Sequence, residues 1–525
     1  MERVRLFCAV CLIMAVMSRN GITSDEPTDV FSQEIGRFRA LLSSPLPERR
    51  LEAIQGLAYL KDPSCEDALL RMIADPSADI RREATIALGQ CGSAKSIPAL
   101  IALLNDPAWD TRVQVHDALC RMTAQTFAMD DPTSWEKWWQ DSDPAAKEKA
   151  IIAGLANQDV QVRLRSLRAL RFLGGRGTED ALLSFAKGRG AVPERKLILL
   201  ALERMGTEKA MPYLVGQQGL TESAWAMGRI GGPEAEQALL KMMEGNYPWE
   251  RVDVVINLDR IKSKAADRAI GRLIYWYGTI TDNHRYEDLT LPPTPTQRAI
   301  TNLIRRSGKA DLVIELVLRE LEGKAVEADI PENLKQTIEG LRKELKPGFY
   351  AKIHEGTAQA LSAMYHLADD PALVPRLMPL LKHQTVVVRI YVAMTLAKLK
   401  AQEAMPMMLE QIREGYPFGD HKHMTTGLWV HGKHRWKGFL ALAVGRLGTE
   451  EARKALEELA VDPKSYRDVR LGSVIGLRFI GSPASIPVLE RVAKEDIVCF
   501  IRESAQDAIE DVRLAQREIE AGKAK

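Results

Sequence analysis

The chain has 525 residues, of which 6% are aromatic, and its 72 Lys and Arg face 70 Asp and Glu for a formal net charge of +2. So even a balance excludes a global electrostatic pull toward nucleic acid or an anionic membrane. Six cysteines in a chain of this length exclude a disulfide framework as its source of stability.

In chain order, Arg3 and Arg5 precede an unbroken apolar run, Leu6–Met17, and then polar Ser18-Arg19-Asn20-Gly21. That order is the layout of a secretory signal peptide, expected over residues 1–24, and the run is too short to span a bilayer. The expectation is an exported, periplasmic or cell-envelope protein with no transmembrane span in the mature chain. Residues 25–45 read as a linker and an N-terminal capping helix over Val30–Leu42.

From residue 46 the chain repeats. In Pro76–Asp106, Ile80, Ala84, Ala87 and Leu88 recur at helical spacing. Gly89 and Gly92 are expected to end that helix through positive φ. A second helix is expected near Ser96, with Pro98 in its first turn, where a missing N–H costs nothing. The helix ends share a signature of small, apolar, two variable, apolar, then Gly or Lys. It stands at GLAYLK (56–61), ALGQCG (87–92), ALRFLG (169–174), ALERMG (201–206) and AMGRIG (226–231), then at TLAKLK (395–400), AVGRLG (443–448) and GLRFIG (476–481). Proline follows four signatures at a fixed offset (Gly92 to Pro98, Gly206 to Pro212, Lys400 to Pro406, Gly481 to Pro487), which predicts one recurring turn. Asp-Pro pairs such as Asp75-Pro76 and Asp106-Pro107 mark helix starts, with Asp capping free amides. A helical pair this short cannot bury its own apolar face, so it must stack on copies of itself.

The Asp-x-Arg starts (Asp79/Arg81, Asp110/Arg112, Asp468/Arg470), the ALGxxG exits and the Ile-Pro-x-Leu starts of second helices resemble HEAT-like repeats of the phycobilisome-lyase type, best over residues 46–125, 158–245 and 355–500. The resemblance implies an all-α, right-handed α-solenoid of stacked helical hairpins, HEAT/armadillo-like. Its organisation would be N-terminal repeats over 46–278, a Pro-rich loop at 279–296, an irregular helical segment at 297–353 and C-terminal repeats over 354–525. A lyase acting on a tetrapyrrole is implied only by the repeat type, and no cysteine or acid pair marks one. His354-Glu355 is similar to the His-Glu pairs of deoxyhypusine hydroxylases, which hold two irons, but a single pair cannot assemble that site.

Three stretches break the repeat. In Thr126–Trp139, Asp131 and Pro132 predict a helix start, and Trp135, Trp138 and Trp139 share one face, expected to pack on neighbouring repeats. A W-x-x-W-W ending of this kind is similar to those that follow HEAT-like repeats in exported bacterial proteins. Tyr275–Thr296 is predicted to be a loop, because Pro292, Pro293 and Pro295 oppose helix. Tyr416–Trp436 holds four of the chain's nine histidines within fourteen residues.

That last loop is the sharpest lead. His421, His423, His431 and His434, with Asp420, are the donor types that a divalent metal takes. Lys422, Lys433, Arg435 and Lys437 oppose a cation there, and with Trp429 and Trp436 they fit a basic–aromatic contact instead. Arg163, Arg165, Arg168 and Arg171 form a dense basic helix, expected to serve arginine–carboxylate ladders between repeats rather than nucleic acid. The function that follows is a non-catalytic protein-binding scaffold without a cofactor, with Tyr286, Trp429 and Trp436 as partner contacts. The alternative is a metal-binding or enzyme-accessory protein centred on the His-rich loop.

Overall fold

The computed structural model describes residues 28–264 (except 142, 176, 188–190, 218 and 244–247), 295–324, 355–414 and 435–523, with single helical positions at 273, 335 and 339. The expected signal segment lies outside the described residues. So do Tyr275–Thr296 up to 294, His354 and residues 415–434. Among the described residues the chain is helical without strands, and none of its helices is long and apolar enough to cross a membrane. It divides into two compact units, Pro27–Ser263 and Lys264–Lys525.

The N-terminal unit is built on eight helices: α1 (Val30–Leu41), α2 (Pro47–Leu60), α3 (Ala78–Cys91), α4 (Trp109–Thr123), α5 (Val160–Leu173), α6 (Val192–Met205), α7 (Thr221–Ile230) and α8 (Pro248–Arg260). From α2 onward each packs on the next, whereas the short helices between them mostly touch only their own pair-mates. The numbered row therefore runs along the inner, smaller radius. Helix α1 packs on both α2 and α8, and the Val30 N–H donates to a buried Asp259 carboxylate oxygen at 2.7 Å. The row thus returns on itself, and the unit is a closed ring of eight inner helices.

Two ladders of polar contacts hold successive repeats. In the first, an Arg in the first turn of several inner helices is a strut, whereas Arg112 binds only the carbonyls of its own start turn. Arg81 clamps Asp106 with Nε at 2.7 Å and Nη2 at 3.0 Å, while Nη1 binds the carbonyls of Asp75 and Pro76 in its own start turn. Arg50 treats Asp75 in the same way, Arg470 treats Asp496 so, and Arg163 pairs with Glu194 at 2.8 Å. Asp106 also accepts from the Ala108 N–H, so one carboxylate caps its own helix start and receives the preceding repeat. The Arg81 guanidinium holds the Asp106 carboxyl below its ordinary pKa. The expectation of an arginine–carboxylate ladder holds for Arg163; Arg165 and Arg168 are exposed, and Arg171 turns elsewhere.

The second ladder joins a Glu of one outer helix to the exit turn of the next repeat. Glu66 accepts from the Ser93 N–H and hydroxyl and from Ser96; Glu179 accepts from Thr207 in the same way, and Glu457 from the Ser485 hydroxyl.

The exit turns differ from expectation. Helix α3 runs through Gly89, and Gly92 leaves it in an extended conformation (φ −63°, ψ 173°), not at positive φ. Glycine is needed there because a Cβ would lie 2.5 Å from the Leu88 carbonyl oxygen, which the Gly92 N–H itself approaches to 2.7 Å. Gly206 is also extended, but Lys400 (φ 59°) and Gly481 (φ 66°) are left-handed. The shared proline offset thus covers two backbone routes, each entering a 3₁₀ turn and then a helix with proline in its first turn.

The C-terminal unit has its own inner row: α9 (Pro295–Arg306), α10 (Glu355–Leu367), α11 (Val386–Lys398), α12 (Arg435–Leu447), α13 (Arg467–Ile480) and α14 (Cys499–Lys523). Helix α9 starts at Pro295, inside the stretch predicted to be loop, because proline is well placed in a helix's first turn. Helices α12 and α13 cross backbone to backbone: a Cβ on Gly445 would lie 2.3 Å from the Gly476 Cα, and one on Gly472 would lie 2.1 Å from the Gly438 carbonyl oxygen.

Candidate functional site

Most of the residues singled out in the sequence, Asp420, His421, His423, His431, His434, Tyr286 and Trp429, lie outside the described residues. Trp436 does not, and it corrects the expectation. It is only 7% exposed, and the Arg389 guanidinium sits 4.2 Å from its ring centroid, so the ring anchors α12 rather than facing a partner. Lys437 beside it is buried too, its Nζ donating to the carbonyls of Ile412 and Glu414 at the end of the preceding outer helix. A burial-starved basic residue is thus turned into a helix C-cap.

The tryptophan helix behaves as expected. Asp131 caps Pro132–Gln140 by accepting from the Ser134 N–H. Trp135 is fully buried, edge-on to Phe127 at 5.2 Å and donating Nε1 to the Ala128 carbonyl. Trp138 and Trp139 are half-buried under the Lys147 ammonium. Cys65, Cys91, Cys120 and Cys499 are free thiols, and burial pushes Cys91 up to about 12, which removes it as a nucleophile. Among the described residues no group of three or more His, Cys, Asp or Glu is placed to hold a metal ion.

What the structure gathers instead is a row of basic side chains at the C-terminal ends of the inner helices. They occupy the two positions of the signature that look variable: Arg171, Arg204 and Arg229 in the first unit, Lys398, Arg446 and Arg478 in the second. Arg260, the last residue of α8, continues the first series. Arg204, Arg229, Lys398 and Arg446 hold the second of the two signature positions and share one helix face, while Arg171 and Arg478 hold the first, about 100° round the helix.

In the ring these side chains reach across the interior. Arg204 Nη1 donates to the Cys91 carbonyl at 3.2 Å and the Gly92 carbonyl at 2.5 Å, satisfying the open end of α3 from more than a hundred residues away. Arg229 and Arg260 share one buried carboxylate oxygen of Asp62, at 3.0 and 3.2 Å. Burial first, and then neighbouring guanidinium groups, pull Arg204 and Arg260 below their ordinary pKa; burial does the same to Arg171, against the opposing field of Glu203.

In the second unit Lys398 Nζ binds the carbonyls of Tyr365 and His366 at 2.9 Å each and the Asp369 carboxylate at 2.8 Å. Arg446 bonds the Tyr365 hydroxyl, and Arg478 pairs with Asp511 at 2.5 Å.

Two family models match the chain: HEAT repeats over residues 37–120 and 433–510, and the PBS lyase HEAT-like repeat over 221–245. Deoxyhypusine hydroxylase of Gallus gallus is 28% identical over 233 residues, covering 37% of this chain and 75% of that protein. Among solved structures, human deoxyhypusine hydroxylase in complex with glycerol is similar at 16% identity and a TM-score of 0.21, over 70% of this chain and 97% of that one. Yeast importin-β (Kap95p) is similar at 11% identity and a TM-score of 0.34, over 92% of this chain and 73% of that one.

Proposed function

The chain is a HEAT-repeat protein, and from that premise we propose that it is a non-catalytic scaffold that binds another protein. The observation that carries this reading is a row of exposed apolar side chains at the first residue of three successive inner helices: Trp109 on α4 (61% exposed), Val160 on α5 (42%) and Val192 on α6 (47%). Arg163 and Glu194 at these starts are engaged with each other in the inter-repeat ladder, and the apolar row stays open on that rim for a partner. Apolar groups repeated at the spacing of the helices form a contiguous contact strip of the kind that marks protein interfaces.

The test is affinity capture with chemical cross-linking from the native host, comparing the wild type with a Trp109→Ser/Val160→Ser variant of unchanged helicity. The reading expects a partner at stoichiometric yield that the variant loses; equal yield from both would remove this rim from the interface. Residues 416–434, with Tyr286, belong to the same proposal as further contacts. Export rests on the order of charge and apolar run in residues 3–20, and N-terminal sequencing of the native protein tests it.

The density of donors in Asp420, His421, His423, His431 and His434 favours a second reading, a divalent metal held on that loop. Elemental analysis of the purified chain and of His421→Ala/His423→Ala decides it, through a bound metal at about one per chain that the variant lacks.

A further inference from the structure

We propose that the interior of the N-terminal ring holds a site for an oxyanion, a phosphate or carboxylate group gripped by Arg171 together with Arg204 and Arg229. Among the described residues the Arg171 guanidinium has no hydrogen-bond or ion-pair partner, and its Nε is sealed from solvent. It lies 5.7 Å from the ring centroid of its own neighbour, Phe172. A guanidinium offers five donors, and leaving its Nε–H unmatched away from water carries the desolvation cost of a buried polar group.

Its surroundings deepen the mismatch rather than relieve it. Arg229 interacts with Arg171 as a like charge, and Arg204 feels both. Two carboxylates of that end, Asp62 and Glu66, are committed elsewhere. Asp62 is shared by Arg229 and Arg260 and also caps Ser64. Glu66 accepts from Ser93 and Ser96. Glu203 acts on Arg171 only through its field, without an ion pair. Arg204 bonds backbone carbonyls alone and has no carboxylate within ion-pair distance. Arg171, Arg204 and Arg229 are each partly open to solvent, so a ligand reaches them from the end of the ring where the inner helices terminate. Planar guanidinium forks from separate helices match the oxygens of a phosphate or carboxylate better than those of any neutral group.

The anion could arrive free or on the side chain of a bound peptide, and both arms are tested on the full chain. Thermal unfolding is followed in inorganic phosphate against sodium chloride of equal ionic strength, and binding of a triglutamate peptide is followed by calorimetry. The site predicts a phosphate-specific rise in Tm of about 3 °C at tenfold excess over Kd. Arg171→Met should abolish that rise without lowering Tm in chloride, because it removes an unmatched buried charge. Arg171→Lys, which keeps the charge and loses the fork, should weaken binding about tenfold. Arg165→Gln, an exposed change on the same helix, should leave the rise intact. Tighter binding of triglutamate than of phosphate assigns the anion to a peptide, and the reverse assigns it to a free ligand. The proposal is overturned if phosphate does no more than chloride, if Arg171→Met retains the rise, or if that variant is markedly less stable in chloride. None of these outcomes depends on the rim of Trp109, whose variant tests the scaffold reading separately.

Discussion

The two units draw their inner basic residues from the same signature positions and use them differently. In the C-terminal unit each has an assigned counterpart: Lys398 closes the end of α10 and pairs with Asp369, Arg446 meets Tyr365, and Arg478 meets Asp511. In the N-terminal ring three arginines are likewise matched, but Arg171 is not. Closure explains the difference. In the second unit the counterparts lie on the adjacent inner helix of the row or, for Arg446 and Tyr365, two helices away. In a closed ring, side chains from opposite repeats converge, so four guanidinium groups share one interior whatever their local neighbours are. A repeated position therefore acquires a role that depends on how the row ends.

Backbone contact is the sharpest way to break this comparison. Gly89 and Gly445 hold the same signature position in the two units. A Cβ at Gly89 would meet the Ala118 Cβ at 3.2 Å, whereas at Gly445 it would meet the Gly476 Cα at 2.3 Å. Gly445→Ala should cost about 3 kcal/mol through forced separation of α12 and α13. Gly89→Ala should stay within about 0.5 kcal/mol of neutral, since better helix propensity offsets the tighter contact. Denaturant midpoints for both variants check this; equal losses would mean that the crossing of α12 and α13 is not as close as described.

The Arg struts are the feature that the two units share, and they should respond alike. Arg81→Lys and Arg470→Lys each lose a bidentate clamp and the carbonyl contact behind it, a loss of about 2 kcal/mol apiece. If only one of the two proves costly under urea, the struts are not equivalent supports.

Acid should move the units in opposite directions. Burial raises Asp253, in the ring, from an ordinary 3.8 to about 6. Its contribution to stability is complete below 3.8 and is lost as pH rises through 6. Burial, with Lys398 and Arg446 nearby, lowers His366 on α10 from 6.5 to about 3. Its contribution is complete above 6.5 and is lost as pH falls toward 3. Between pH 7 and 5.5 the ring should gain, and the second unit lose, about 1 kcal/mol each. Asp253→Asn and His366→Gln should flatten the respective trends in Tm against pH; unchanged slopes in both variants would refute these assignments.

Much of the fold was legible from residue types alone. Asp-Pro pairs, the ALGxxG exits and the Pro98-type starts located the helical pairs, because capping and φ restriction act within a few residues. The Asp131 start of the tryptophan helix and the burial of Trp135 were legible for the same reason. The glutamate ladder was missed, since Glu66 and Ser93 are 27 residues apart and neither is unusual on a helix surface. The basic row was missed although its signal was present: the two signature positions read as variable carry Arg or Lys in ALRFLG, ALERMG, AMGRIG, TLAKLK, AVGRLG and GLRFIG. Trp436 was misread because a tryptophan beside a polar loop looks exposed until the helix behind it is placed.

Sequence by itself determined that this protein is a row of short helical pairs, because each pair's caps, stops and apolar stripe are local properties that repeat with the residues. Only the tertiary structure decided that the first row closes, through Val30 on Asp259 and α1 between α2 and α8. Closure depends on small rotations summed over many repeats, which no single repeat encodes. It is that sum which brings Arg171 to an interior where, among the described residues, no side chain pairs with it directly.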